Sequence, residues 1–182
     1  SLEIHNLSFS FSIPGMMLKH WQPGSFTDRL MENREGYRRA LAAVRSAPVP
    51  NTADGKAYLD YWDHRLAFGA GYFDTVELVC KAATAEQTAR QAQAEGNLRL
   101  AAAQLAETLE HACRALHAAC AAIENFAQVP RNQSDRAAVA VMGEYVYRDL
   151  RRQVQRLLPI TNLTKRQQKK SFRSFVYFPR IA

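Results

Sequence analysis

The sequence predicts a mainly α protein: an up-and-down bundle of four or five helices with short terminal β-strands. Three observations lead there. Alanine occupies 29 of the 182 positions, mostly between residues 40 and 140, and alanine favours helix because it has no side-chain entropy to lose. Apolar residues recur at intervals of three and four through long segments, the pattern of a helix that buries one face. Prolines and the pair Gly96-Asn97 fall between those segments, at Pro48, Pro50, Pro130 and Pro159. A hydrophobic content of 47% is enough for one domain of this length to bury a core without cross-links.

Leu7-Ser-Phe-Ser-Phe-Ser-Ile13 alternates apolar residues with serine, so residues 3–13 read as a half-buried strand stopped by Pro14-Gly15. From Ser25 to Arg45 the spacing is helical. Ser25, Thr27 or Asp28 can cap this segment, and Leu30, Met31, Tyr37, Leu41 and Val44 form its apolar stripe. Residues 51–80 predict a second helix, begun near Asn51 or Asp54 and rich in aromatics. Gly69 and Gly71 in its middle each cost about 1 kcal/mol against alanine, which predicts close packing or a local bend there. A third segment covers about 84–95, and Gly96-Asn97 reads as a turn or a weak point. The fourth spans 98–126. Ser134 and Asp135 then cap a fifth helix running to Leu158. Last, Phe175-Val-Tyr-Phe178 favours a strand that could pair with the first, at the N-terminal end. The organisation is therefore an N-terminal strand and loop over 1–24, a bundle over 25–158 and a basic, aromatic tail over 159–182.

The net charge of +7 is unevenly placed. Residues 148–182 carry ten Lys/Arg against one acid, Asp149, whereas residues 1–147 carry 14 Lys/Arg against 16 acids. Charge localised in this way points to an anionic partner rather than to solubility alone. Lys165, Arg166, Lys169, Lys170 and Arg173 are the candidate contacts to a nucleic acid, because cationic side chains neutralise phosphates. Phe172, Phe175, Tyr177 and Phe178, interleaved with or following them, offer rings for bases to stack on or for insertion at a lipid interface. No run of 18 apolar residues exists to span a membrane. Three cysteines without a C-x-x-C do not make a disulfide framework; a reducing, cytoplasmic setting is the simpler expectation, with a secreted protein carrying free thiols as the alternative. Ser1 without a methionine before it reads as a scar, a processed end or the inside of a longer polypeptide.

The segment His111-Ala-Cys-Arg-Ala-Leu-His-Ala-Ala-Cys-Ala-Ala-Ile-Glu124 tests the case for a metal. Cys113, His117, Cys120 and Glu124 lie at i, i+4, i+7 and i+11, one stripe of a helix. That stripe spans about 16 Å at 1.5 Å per residue, too long for one tetrahedral ion. It also overlaps an apolar seam of Leu105, Leu109, Cys113, Leu116, Cys120 and Ile123, so both cysteines are assigned to the core and neither a metal nor a cofactor is expected. A di-iron bundle would need Glu-x-x-His, which is absent. Asp60/His64 and Glu107/His111 are i, i+4 pairs suited to a solvated face. No Gly-rich phosphate loop, nucleophile elbow or His-Glu-x-x-His occurs, which lowers the expectation of an enzyme.

Three segments, "YLDYWDHRLAFGAGYFDTVEL", "AEGNLRLAAAQLAETLEHA" and "SDRAAVAVMGEYVYRDL", together resemble the helical module that follows the catalytic barrel in some glycoside hydrolases. The likeness covers roughly residues 58–152, and no catalytic residue carries over. It implies an accessory helical domain of a carbohydrate-active enzyme, with Tyr58, Trp62 and Arg65 lining a carbohydrate cleft by stacking and cation-π contact. The residues by themselves favour a non-catalytic binding or assembly module whose basic tail contacts an anionic macromolecule, with nucleic acid as the expected partner. A third reading is a homo-oligomeric structural protein joined through its terminal strands.

Overall fold

The computed structural model describes residues 27–159. Both expected strands and all five basic candidates of the tail lie outside those residues, as does the proposed assembly through the strands. Within them the chain is a helical bundle of four rods. They are α1 (Thr27–Ser46), α2 (Ala53–Ala94), α3 (Leu98–Phe126), and a last rod made of α4 (Gln133–Val141), a π-helical segment (Met142–Tyr147) and α5 (Arg148–Leu157). No helix among the described residues is long and apolar enough to cross a membrane.

The second and third expected segments are one helix. α2 runs for 42 residues, about 63 Å, because nothing between Cys80 and Thr84 breaks it: Cys80 to Ala85 are helix formers or tolerated residues, and the Thr84 hydroxyl donates to the Cys80 carbonyl at 3.0 Å instead of capping a new helix. Its cap is Thr52, not Asn51 or Asp54; the Thr52 hydroxyl accepts from the Gly55 N–H at 3.1 Å. Gly69 and Gly71 leave the helix unbroken and serve close packing. A Cβ at Gly69 would fall on the Tyr37 ring of α1, and one at Gly71 would lie 2.9 Å from the Ala122 Cβ of α3.

α2 and α3 form an antiparallel hairpin with a three-residue turn. Gly96, at φ +75°, donates to Gln93 O at 3.1 Å, and Asn97 donates to Ala92 O at 2.8 Å, the paired bonds by which a left-handed glycine closes a helix. The Asn97 side chain then accepts from Leu100 N–H at 3.1 Å and starts α3. Gly96-Asn97 is thus a turn, not a weak point.

The core is made of alanine as much as of leucine. Ala82, Ala83, Ala112, Ala115, Ala119 and Ala122 are almost completely buried, with Val79, Leu109, Leu116, Ile123, Met142, Val146, Leu150, Val154 and Leu157 around them. The predicted α3 seam is displaced by one stripe: Leu109, Leu116 and Ile123 are buried, but Leu105, Cys113 and Cys120 are only half-buried at its margin. Small side chains let the α2 and α3 backbones approach, so the alanine stripe and not the leucine/cysteine stripe meets the neighbour. Thr75 and Thr108, also buried, satisfy their hydroxyls on the carbonyls of Gly71 and Gln104, both at 2.8 Å.

The π segment follows from spacing. Met142, Val146, Leu150 and Val154 are four apart, and three such steps at 100° per residue would carry the seam about 120° off the core in a regular α-helix. A turn that takes one more residue compensates the drift, and Arg148 N–H accordingly bonds Gly143 O, five residues back. All four side chains remain buried.

α1 is held differently. Met31 and Tyr37 are exposed and Leu41 and Val44 half-buried, so its predicted apolar stripe is not a core face. An ion-pair ladder fastens it to α2: Arg34 to Glu77, Arg38 to Asp74 at 2.8 Å and Arg45 to Asp63 at 2.6 Å. The descending partner numbers show the antiparallel packing directly.

Candidate functional site

The loop between α3 and α4 closes one end of the bundle around a buried carboxylate. Asn132, not Ser134, caps α4: its side chain accepts from Asp135 N–H at 2.9 Å. Asp135, only 2% exposed, reaches back to accept from Arg131 N–H at 3.0 Å and from the Tyr61 hydroxyl of α2 at 3.1 Å. Arg65 Nη1 stands 3.7 Å from the same carboxylate. Burial pushes the Asp135 carboxyl up, but the Arg131 N–H, the Tyr61 hydroxyl and Arg65 outweigh it and hold the group below the ordinary carboxylate range.

Aromatic rings complete this knot. The Arg65 guanidinium lies 5.1 Å from the centre of the Phe126 ring and that of Arg131 lies 4.7 Å from the centre of Tyr61, while Arg131 also bonds the Ala57 carbonyl. Phe126 is wholly buried and packs on Phe68 at 5.0 Å. Beside it His64 Nδ1 pairs with Asn125 Oδ1, and His64 Nε2 is 3.6 Å from Asp60. The predicted Glu107/His111 pair is likewise 3.6 Å apart.

Of the three carbohydrate candidates, the structure keeps two together and turns the third away. Tyr58 and Trp62 are 56% and 36% exposed and meet edge to face with centroids 6.2 Å apart. Arg65 points instead into the knot with Asp135 and Phe126. Two further carboxylates of α2 are committed to α1: Arg45 holds Asp63 below its usual range by a direct hydrogen bond, and Arg38 pairs with Asp74. Phe126 and Arg131 are residues that sequence reasoning missed, and Asp135 was read there only as a cap; the sign was the Asn-x-x-Asp spacing at 132–135, a helix-start signature.

The cysteine stripe provides no ligand set. Burial pushes the Cys80 thiol up to about 12 and, with Glu110 and Glu124 nearby, the Cys113 and Cys120 thiols up to about 11. His117 and Glu124 are exposed while both cysteines turn toward the bundle. Among the described residues no three His, Cys, Asp or Glu side chains are grouped to hold a metal ion.

A second buried carboxylate ties the far end. Glu86, 3% exposed, accepts from Arg90 at 2.7 Å and from Arg156 at 3.2 and 3.3 Å, which pins the end of α5 to α2. Fold and sites together define an all-α, self-paired helical bundle module. Scans against protein families, curated proteins and solved structures found no match to the chain.

Proposed function

We propose that the protein is a non-catalytic helical binding module whose basic C-terminal segment contacts an anionic macromolecule, with nucleic acid as the partner. The observation that carries this reading is where the charge is left over. Residues 27–159 contain 17 Lys/Arg and 16 Asp/Glu, a net +1, and much of that charge is consumed internally by the α1–α2 ladder and the Glu86 and Asp135 clusters. Residues 160–182 contain six Lys/Arg and no acid. The bundle therefore has no net negative charge to offer its own tail, and an external polyanion is the natural counter-charge.

The test is binding of a fluorescent oligonucleotide across a salt series. Replacing Lys165, Arg166, Lys169 and Lys170 with alanine should weaken binding and flatten the log K against log salt plot by about 2.8, at roughly 0.7 per neutralised phosphate for a single strand. Binding that ignores salt, or no binding, would end the reading.

A second reading, an accessory helical domain of a glycoside hydrolase, is favoured by the exposed Tyr58–Trp62 pair at the bundle end. It predicts a change in tryptophan fluorescence with oligosaccharide that is indifferent to salt and lost on Trp62→Ala.

A further inference from the structure

We infer that the outward face of the last rod, from Tyr145 to Arg152, is an ordered part of the same polyanion interface and that the partner is single-stranded nucleic acid. The inference rests on the reading above and extends it from the tail to the bundle.

The last rod buries Met142, Val146, Leu150, Val154 and Leu157. Its opposite side is exposed and basic: Arg148, Arg151, Arg152 and Arg156 against the single exposed acid Glu144, with Asp149 half-buried on the flank. Arg148 is paired with Glu144 at 2.6 Å, and Arg156 shares Glu86. Among the described residues Arg151 and Arg152 are exposed and neither forms an ion pair with a carboxylate, although Arg151 lies near the Tyr147 hydroxyl. They precede Pro159 by less than three turns, and the chain beyond Pro159 is the acid-free basic segment. Arg151, Arg152 and the cations of the last 23 residues thus belong to one stretch of sequence that contains no acid, and the two arginines lie on a packed helix.

The choice of single strand comes from Tyr145. It lies within the π segment, is 55% exposed, and stands one turn before Arg148. A surface tyrosine offers a ring face to an unpaired base, whereas a duplex keeps its bases stacked on each other and presents only groove edges and phosphates. Arginine is suited to the phosphates because its planar fork donates two parallel bonds and keeps its charge at any relevant pH.

The experiment uses the full chain, a fluorescent single-stranded oligonucleotide, its duplex, and anionic phosphatidylserine vesicles. Arg151→Gln with Arg152→Gln should lower the salt slope by about 1.4, two phosphates at roughly 0.7 each. Tyr145→Ala should weaken single-strand binding about tenfold and leave the slope unchanged. Circular dichroism checks that these exposed substitutions leave the helix content intact. Unchanged binding by the Arg151/Arg152 variant while the tail variant fails would overturn this inference and leave the proposed function standing. A tail variant that binds normally while the helix variant fails would overturn the proposed role of the tail, and with it the claim that the helix face extends the tail's interface. Equal affinity for duplex with no effect of Tyr145→Ala, or capture of vesicles but not oligonucleotide, would overturn it outright.

Discussion

Gly69→Ala isolates the contact that seats α1. An added Cβ at residue 69 would fall on the Tyr37 ring, which packs on Phe73 with centroids 5.5 Å apart. Two effects oppose each other. Alanine in a helix interior stabilises by about 1 kcal/mol over glycine, while forcing the ring aside costs about 1–3 kcal/mol of packing. Taking the middle of that range, the single change should destabilise by about 1 kcal/mol, a fall of about 2–4 °C in Tm for a domain of this size. In a Tyr37→Ala background the obstacle is gone, and the same Gly69→Ala change should stabilise by about 1 kcal/mol. The cycle therefore predicts a coupling of about 2 kcal/mol between residues 37 and 69. Urea unfolding followed by far-UV circular dichroism gives all four stabilities. A gain from Gly69→Ala in the parent, or the same sign in both backgrounds, would refute the packing of Tyr37 over Gly69.

Further outcomes follow from the two buried carboxylates and the thiols. Asp135 and Asp63 titrate below the ordinary range, so each adds stability that is present above the unfolded value, near pH 3.9, and is lost as pH falls through the lower folded value. Unfolding free energy should drop steeply below about pH 4, and Asp135→Asn should flatten that acid limb; an unaltered limb would count against the role of the knot. Glu86→Ala strands two half-exposed arginines and should cost about 2 kcal/mol, a figure below that for fully buried pairs because water screens both guanidiniums, with faster amide exchange over 150–157 as the readout. The thiols of the folded protein should react with a disulfide reagent at neutral pH far more slowly than after urea unfolding; rapid native labelling of Cys80 would contradict its burial.

Much of the fold was legible locally. The turn at Gly96-Asn97 depends on one left-handed residue and one side-chain acceptor, both within four positions of their partners, and the span of α3 matches its periodicity from 98 to 126. Where the reading failed, the deciding partner was distant. The alanine stripe of α3 outranked the leucine/cysteine stripe because α2 needed a close approach there, and α1's apolar residues stayed half out because the core was already filled by three rods. Arg65 looked like part of an aromatic binding face until Asp135, 70 residues away, claimed it.

Sequence alone determined that this protein is helical, roughly where its helices turn, and that its excess positive charge lies at the C-terminal end. Those properties reside in short-range rules: propensity, capping and summed charge. Tertiary structure alone decided which stripes are core, which carboxylates are spent in pairs, and that Arg151, Arg152, Tyr58, Trp62 and Tyr145 remain outside. Burial and charge compensation belong to pairs of surfaces, and a single helix does not specify its partner.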